Sequence, residues 1–154
     1  MNRNSKNILY IDDEVHNLNS FKASFRREYN VFTAISAEEG RRILEANEIH
    51  VIITDQRMPV MTGIEFLESV IAKFPDALRI LLTGYADIAA VIDAINKGSV
   101  YKYIQKPWDE EELRAVINGA LELYQLKKKK DELTENLMLT NEQLEFLLRQ
   151  NLLS

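Results

Sequence analysis

Strand-like apolar runs alternate with helix-length amphipathic segments about five times along this chain, and that alternation leaves few folds open to it. Val51-Ile-Ile53 and Ile80-Leu-Leu82 are apolar at every position. A strand with one wet face would alternate, so such runs belong to strands buried on both faces, as in a parallel sheet with helices on either side. The pattern predicts strands over 7–11, 29–35, 50–54, 77–83 and 100–105. Between them it predicts a helix over 14–28 with Val15, Leu18, Phe21 and Phe25 inward. A second is opened by Ser36 with Glu39 as a capping box and has Ile43 and Leu44 inward. A third runs over 64–74 with Phe66, Leu67, Val70 and Ile71 inward, and a fourth over 86–97, closed by Gly98. Asp109 caps a last helix whose first turn carries Glu110, Glu111 and Glu112, favourable at its positive end.

The residues that end the runs carry the chemistry. Asp12-Asp13-Glu14 follows the first run, Asp55 ends the third, Thr83-Gly84 follows the fourth and Lys106-Pro107 the fifth. Open α/β folds place their sites outside the carboxyl ends of the strands. Each residue alone has an ordinary reading as a cap or strand end; capping explains poorly why all of them stand at four strand ends. Carboxylates crowded in a partly desolvated cleft repel one another unless a cation neutralises them. An all-oxygen donor set suits Mg²⁺ or Mn²⁺. The chain has no cysteine, which excludes disulfides and thiolate metal sites, and His16 and His50 read as structural. Beside a divalent cation, a carboxylate can act as nucleophile toward a phosphoryl group. Asp55 suits that role, alone at the end of the middle run before a Gly-containing loop. Thr83 and Lys106 offer a hydroxyl and an ammonium for the phosphoryl oxygens.

The set Asp12-Asp13, Asp55 with Met58-Pro59 and Gly63, Thr83-Gly84, Tyr103 and Lys106-Pro107 resembles the receiver domain of bacterial two-component response regulators, over about residues 7–121. The resemblance implies a doubly wound, flavodoxin-like sheet of five parallel strands in the order 2-1-3-4-5. It implies a phosphorylation-dependent signalling switch, with Asp55 accepting a phosphoryl group from a sensor histidine kinase or phosphotransfer protein. Mg²⁺ (or Mn²⁺) would be held by Asp12, Asp13, Asp55 and the backbone carbonyl of Arg57. Lys106-Pro107 would be cis, Thr83 and Tyr103 would form the switch pair, and Arg57 and Tyr85 would tune the lifetime of the phosphoryl group. Such a module is no turnover enzyme: it catalyses only its own phosphorylation and slow dephosphorylation. Two other readings compete. A haloacid-dehalogenase-like phosphatase needs an Asp-x-Asp motif on its first strand, whereas Asp12 and Asp13 are adjacent. A dimerisation scaffold with an inactive receiver would need no Mg²⁺.

A length of 154 residues fits one domain with an appendage: a receiver over 1–121 and a coiled-coil helix or linker over 122–154. With Leu123 at an a position, Leu123, Leu126, Lys130, Leu133, Leu137, Thr140, Leu144, Leu147 and Asn151 fall at a and d, which predicts a parallel homodimer through 123–151. An output domain in a longer chain is a further expectation. Here the stretches Thr83–Asp87 and Tyr103–Trp108 resemble receivers joined to signalling enzymes such as HD-type cyclic-dinucleotide phosphodiesterases, nucleotide cyclases and serine phosphatases. A net charge of −5 gives no reason to expect direct nucleic-acid binding. No apolar run nears the roughly 20 residues of a membrane span, and the N-terminus has no signal-peptide pattern, so a cytoplasmic location without membrane insertion is expected.

Overall fold

The computed structural model describes residues 6–153, apart from the side chains of Tyr85 and Leu153. The elements alternate as β1 (Asn7–Ile11), α1 (Val15–Phe25), β2 (Asn30–Ala34), α2 (Ala37–Ala46), β3 (Val51–Asp55), α3 (Gly63–Val70), β4 (Leu78–Thr83), a short 3-10 turn (Tyr85–Asp87), α4 (Ile88–Asn96), β5 (Lys102–Gln105) and α5 (Glu110–Leu153). The five strands form one sheet in the order β2-β1-β3-β4-β5, with every pairing parallel.

Alternation along the central strands divides the core in two, because successive side chains leave a strand on opposite faces. Ile8 and Tyr10, Val51 and Ile53, and Leu78, Ile80 and Leu82 pack with Leu18, Phe21 and Phe25 of α1 and Leu113 and Ile117 of α5. Leu9 and Ile11, Ile52 and Leu81 pack on the other face with Leu44 of α2, Phe66 and Leu67 of α3 and Val91 of α4. This is the two-sided burial that the apolar runs demanded. The chain reverses direction beside β1, so the carboxyl ends of β1 and β3 flank the switch point of the fold.

The ends of the elements show local causes. Thr62 accepts from the Glu65 backbone N–H while the Glu65 side chain accepts from the Thr62 N–H, a reciprocal box that opens α3. Ser36 accepts from the Glu39 N–H, and Asp109 from that of Glu112. Gly98 closes α4 at φ +79°, where a side chain would be strained.

Some expectations shift. Val15 is exposed instead of inward: it lies in the first turn of α1, before the helix settles on the sheet, and burial begins at Leu18. β5 starts at Lys102, because the Val100 N–H bonds back to Ala94 O in the turn after α4. α3 gives way to turns after Val70, ahead of Pro75. A 3-10 turn replaces the start of the helix expected from Ala86.

α5 is one unbroken helix of 44 residues, about 66 Å long. Its last residue buried in the domain is Tyr124. The ring of Tyr124 meets that of His50 edge-on at 4.7 Å, and its hydroxyl donates to Glu48 at 3.1 Å. His50 is buried, and its Nδ1 accepts from the Asn7 backbone N–H at 2.9 Å. Beyond Tyr124 the helix stands clear of the sheet, with Leu126, Leu133, Leu137, Leu144 and Leu147 all exposed.

Candidate functional site

All five strands run in one direction, so the residues that end them meet at a single edge. Asp12 follows β1 and is fully buried; Asp55 ends β3 and is buried too; Asp13 is not. One carboxylate oxygen from each of Asp12, Asp13 and Asp55 lies within 4.8 Å of the other two. Lys106, after β5, crosses the end of β4 and places Nζ 2.7 Å from Asp55 Oδ1 and 4.0 Å from Asp12 Oδ2. Its peptide bond to Pro107 is cis, and its backbone N–H donates to Thr83 O at 2.9 Å.

Three carboxylates against one ammonium leave the cleft formally two charges negative. Burial raises the pKa of Asp55 from its ordinary value. The hydrogen bond and charge of Lys106 oppose that shift, and the neighbouring Asp12 charge adds to it. A cation with a preference for oxygen would relieve the strain, so the donor set fits Mg²⁺ or Mn²⁺.

Asp12 is held on every side. Its Oδ2 accepts from the Tyr10 hydroxyl at 2.6 Å and from Asn17 Nδ2 at 3.0 Å, and its Oδ1 accepts from the Glu14 backbone N–H at 3.0 Å. Burial, then the hydrogen bond to Asp12, pushes the Tyr10 phenol far above its ordinary pKa, so it stays a donor. Sequence reasoning missed both Tyr10 and Asn17. Tyr10 had a signal: it stands two residues before Asp12, the spacing that puts side chains on one face of extended chain.

The loop after Asp55 is pinned by backbone. Gln56 N–H donates to Leu82 O, Gly63 N–H to Gln56 O, and Ile64 N–H to Gln56 Oε1 at 2.9 Å. A Cβ on Gly63 would lie 2.4 Å from the Asp55 carbonyl oxygen, so only glycine lets α3 approach β3 this closely. The Thr83 side chain is buried, with its hydroxyl donating to Gly84 O at 3.3 Å. Tyr103, paired with Leu81 across the sheet, is exposed. The Arg57 guanidinium pairs with Asp87 at 3.2 Å, in the turn before α4. The expected role of Tyr85 falls on a side chain outside the described residues.

The family model described as the response regulator receiver domain matches residues 8–118. The chain belongs to the response regulator receiver family. Receiver domains are signalling modules, not turnover enzymes. The hydrogenase transcriptional regulatory protein HoxA of Bradyrhizobium diazoefficiens is 34% identical over 121 residues, which is 79% of this chain and 25% of that protein. This receiver chain therefore spans about a quarter of the length of that relative. A crystal structure described as adenylate cyclase from Rhodopirellula baltica superposes with a TM-score of 0.82 at 30% identity, covering 84% of this chain and 97% of that one. The signal receiver domain of an HD domain-containing protein from Pseudomonas fluorescens gives 0.76 at 29% identity, covering 84% and 95%. Among the described residues, no helix is long and apolar enough to cross a membrane.

Proposed function

We propose that Asp55 is the phosphoacceptor of this receiver and that a sensor histidine kinase or phosphotransfer protein in the cytoplasm is its donor. The observation that carries the reading is the contact of Lys106 Nζ with Asp55 Oδ1 at 2.7 Å, beside the carboxylates of Asp12 and Asp13. An Asp55 carboxylate oxygen forms the new bond to phosphorus as the bond to the donor's imidazole nitrogen breaks, and that nitrogen leaves with the electron pair. Lys106 then meets the charge on a phosphoryl oxygen, and the Thr83 hydroxyl can leave Gly84 O to donate to another. Asp12, Asp13, Asp55 and the Arg57 carbonyl would hold Mg²⁺ or Mn²⁺, which would supply further charge neutralisation.

The described arrangement supports an off state: the Thr83 hydroxyl bonds to its neighbour's carbonyl, and Tyr103 faces outward. Phosphorylation draws Thr83 toward Asp55, and Tyr103 turns into the vacated space, which remodels the surface of α4, β5 and α5. The signal reaches the free part of α5, where residues 123–151 pair with a second copy as a parallel coiled coil. In the heptad register, Glu122 at g faces Lys127 at e′ of the other helix, an attractive pair. An output domain beyond the helix, as in longer relatives, completes the reading. With Arg57 held by Asp87, its tuning of phosphoryl lifetime would act through that ion pair.

The test is intact-protein mass after incubation with acetyl phosphate and Mg²⁺, for the wild type and Asp55→Asn, with light scattering on the same samples. A phosphoryl adduct on the wild type alone supports the reading. A constant dimer that binds no Mg²⁺ and takes no adduct would show a scaffold instead.

A further inference from the structure

Tyr10 has no part in the phosphoryl chemistry described above, yet its hydroxyl reaches the centre of the acidic site. It is fully buried in β1, its ring packs against that of Phe21 with centroids 4.5 Å apart and planes tilted by 35°, and its hydroxyl is 2.6 Å from Asp12 Oδ2. We propose that Tyr10 is a positioning residue that sets how tightly the acidic cluster takes a divalent cation, by holding negative charge on Asp12 in the metal-free state. The inference rests on the reading of this cluster as a Mg²⁺ site.

Two effects of the hydroxyl oppose each other. It fixes the Asp12 rotamer, which favours the cation. It also withdraws electron density from Oδ2 and occupies a lone pair there, which disfavours the cation. The first effect is shared: Asn17 Nδ2 donates to the same oxygen, the Glu14 N–H donates to Oδ1, and Asp12 is completely enclosed. Orientation therefore survives loss of the phenol. The second effect falls mostly to the phenol, because a phenolic O–H is a more acidic donor than the amide N–H groups of Asn17 and Glu14, and its 2.6 Å length is that of an O–H bond to a carboxylate. A bound cation takes over part of what the phenol does for the carboxylate. Removing the hydroxyl then costs the metal-free protein more than the metal-bound one, and by linkage affinity for the cation rises.

The test uses the full chain without any phosphodonor. Wild type, Tyr10→Phe and Asn17→Ala are titrated with MgCl₂ by calorimetry and melted in EDTA and in saturating Mg²⁺. Tyr10→Phe keeps the ring against Phe21. It is expected to bind Mg²⁺ about three- to tenfold more tightly than wild type. It should melt below wild type in EDTA, with the gap narrowing in Mg²⁺. Asn17→Ala should move affinity in the same direction by less, and it decides the sign if Tyr10→Phe does not fold. Unchanged or weaker Mg²⁺ binding overturns the proposal, as does a melting deficit equal in both buffers, the mark of a hydroxyl that serves packing alone. A wild type that binds no Mg²⁺ overturns the metal-site reading itself, and the inference with it.

Discussion

Replacing Gly63 by alanine sets two physical effects against each other at the base of the site. Gly63 opens α3, and alanine is the better helix former by up to about 1 kcal/mol. On propensity alone the variant gains stability. The structure predicts the opposite sign. The added Cβ would stand 2.4 Å from the Asp55 carbonyl oxygen and 2.8 Å from Leu81 Cδ1, the first about 1 Å inside ordinary van der Waals contact. Leu81 is fully buried and has little room to rotate, and the carbonyl belongs to β3, which is paired on both sides. Overpacking of this kind costs about 2–3 kcal/mol. The net expectation is a loss of about 1–2 kcal/mol, or a melting point lower by about 2–8 °C for a chain of this size. Urea denaturation followed by circular dichroism measures it. Gly84→Ala is the control: nothing lies within 4 Å of its Cβ, so its stability should stay within about 0.5 kcal/mol of wild type. Any movement of α3 also carries the Asp55 backbone with it, so phosphorylation by acetyl phosphate should slow in Gly63→Ala. A Gly63→Ala protein as stable as wild type would refute the close-approach reasoning.

Val60 holds φ 73° while fully exposed, so Val60→Asn should relieve left-handed strain without loss of packing and stabilise by about 1 kcal/mol; an unchanged denaturation midpoint would contradict it. His50 is kept neutral by burial, which lowers its pKa from 6.5 against the opposing Glu48 charge, while Lys128 adds to the lowering. Between the folded and unfolded values the unfolded chain binds more protons, so stability should fall as pH drops below about 6.5. His50→Gln should flatten that part of the profile; identical slopes for the two proteins would remove His50 as the cause. Leu137 sits at an a position and is exposed on the free part of α5, so Leu137→Asp should reduce a coiled-coil dimer to a single 17.8 kDa chain by light scattering, with the receiver's melting transition retained. A single-chain mass for the wild type would sink the dimer reading.

The sequence by itself determined the order and kind of the elements, because these follow from short-range periodicity. Val51-Ile-Ile53 has no polar position and must be covered on both faces, while Ser36 and Asp109 open helices through bonds spanning three residues. The acidic site was legible for a related reason. Parallel strands all point one way, so Asp12, Asp55 and Lys106, each read as following or ending a run, had to gather at one edge. Only the tertiary structure decided what depends on how a helix is rotated or where a loop crosses. It turned Val15 outward, sent Arg57 to Asp87, aimed the Tyr10 hydroxyl at Asp12, and joined Tyr124 to Glu48 across 76 positions of chain. Those contacts are set by the packing of whole elements against one another, for which no local pattern of residues is a record.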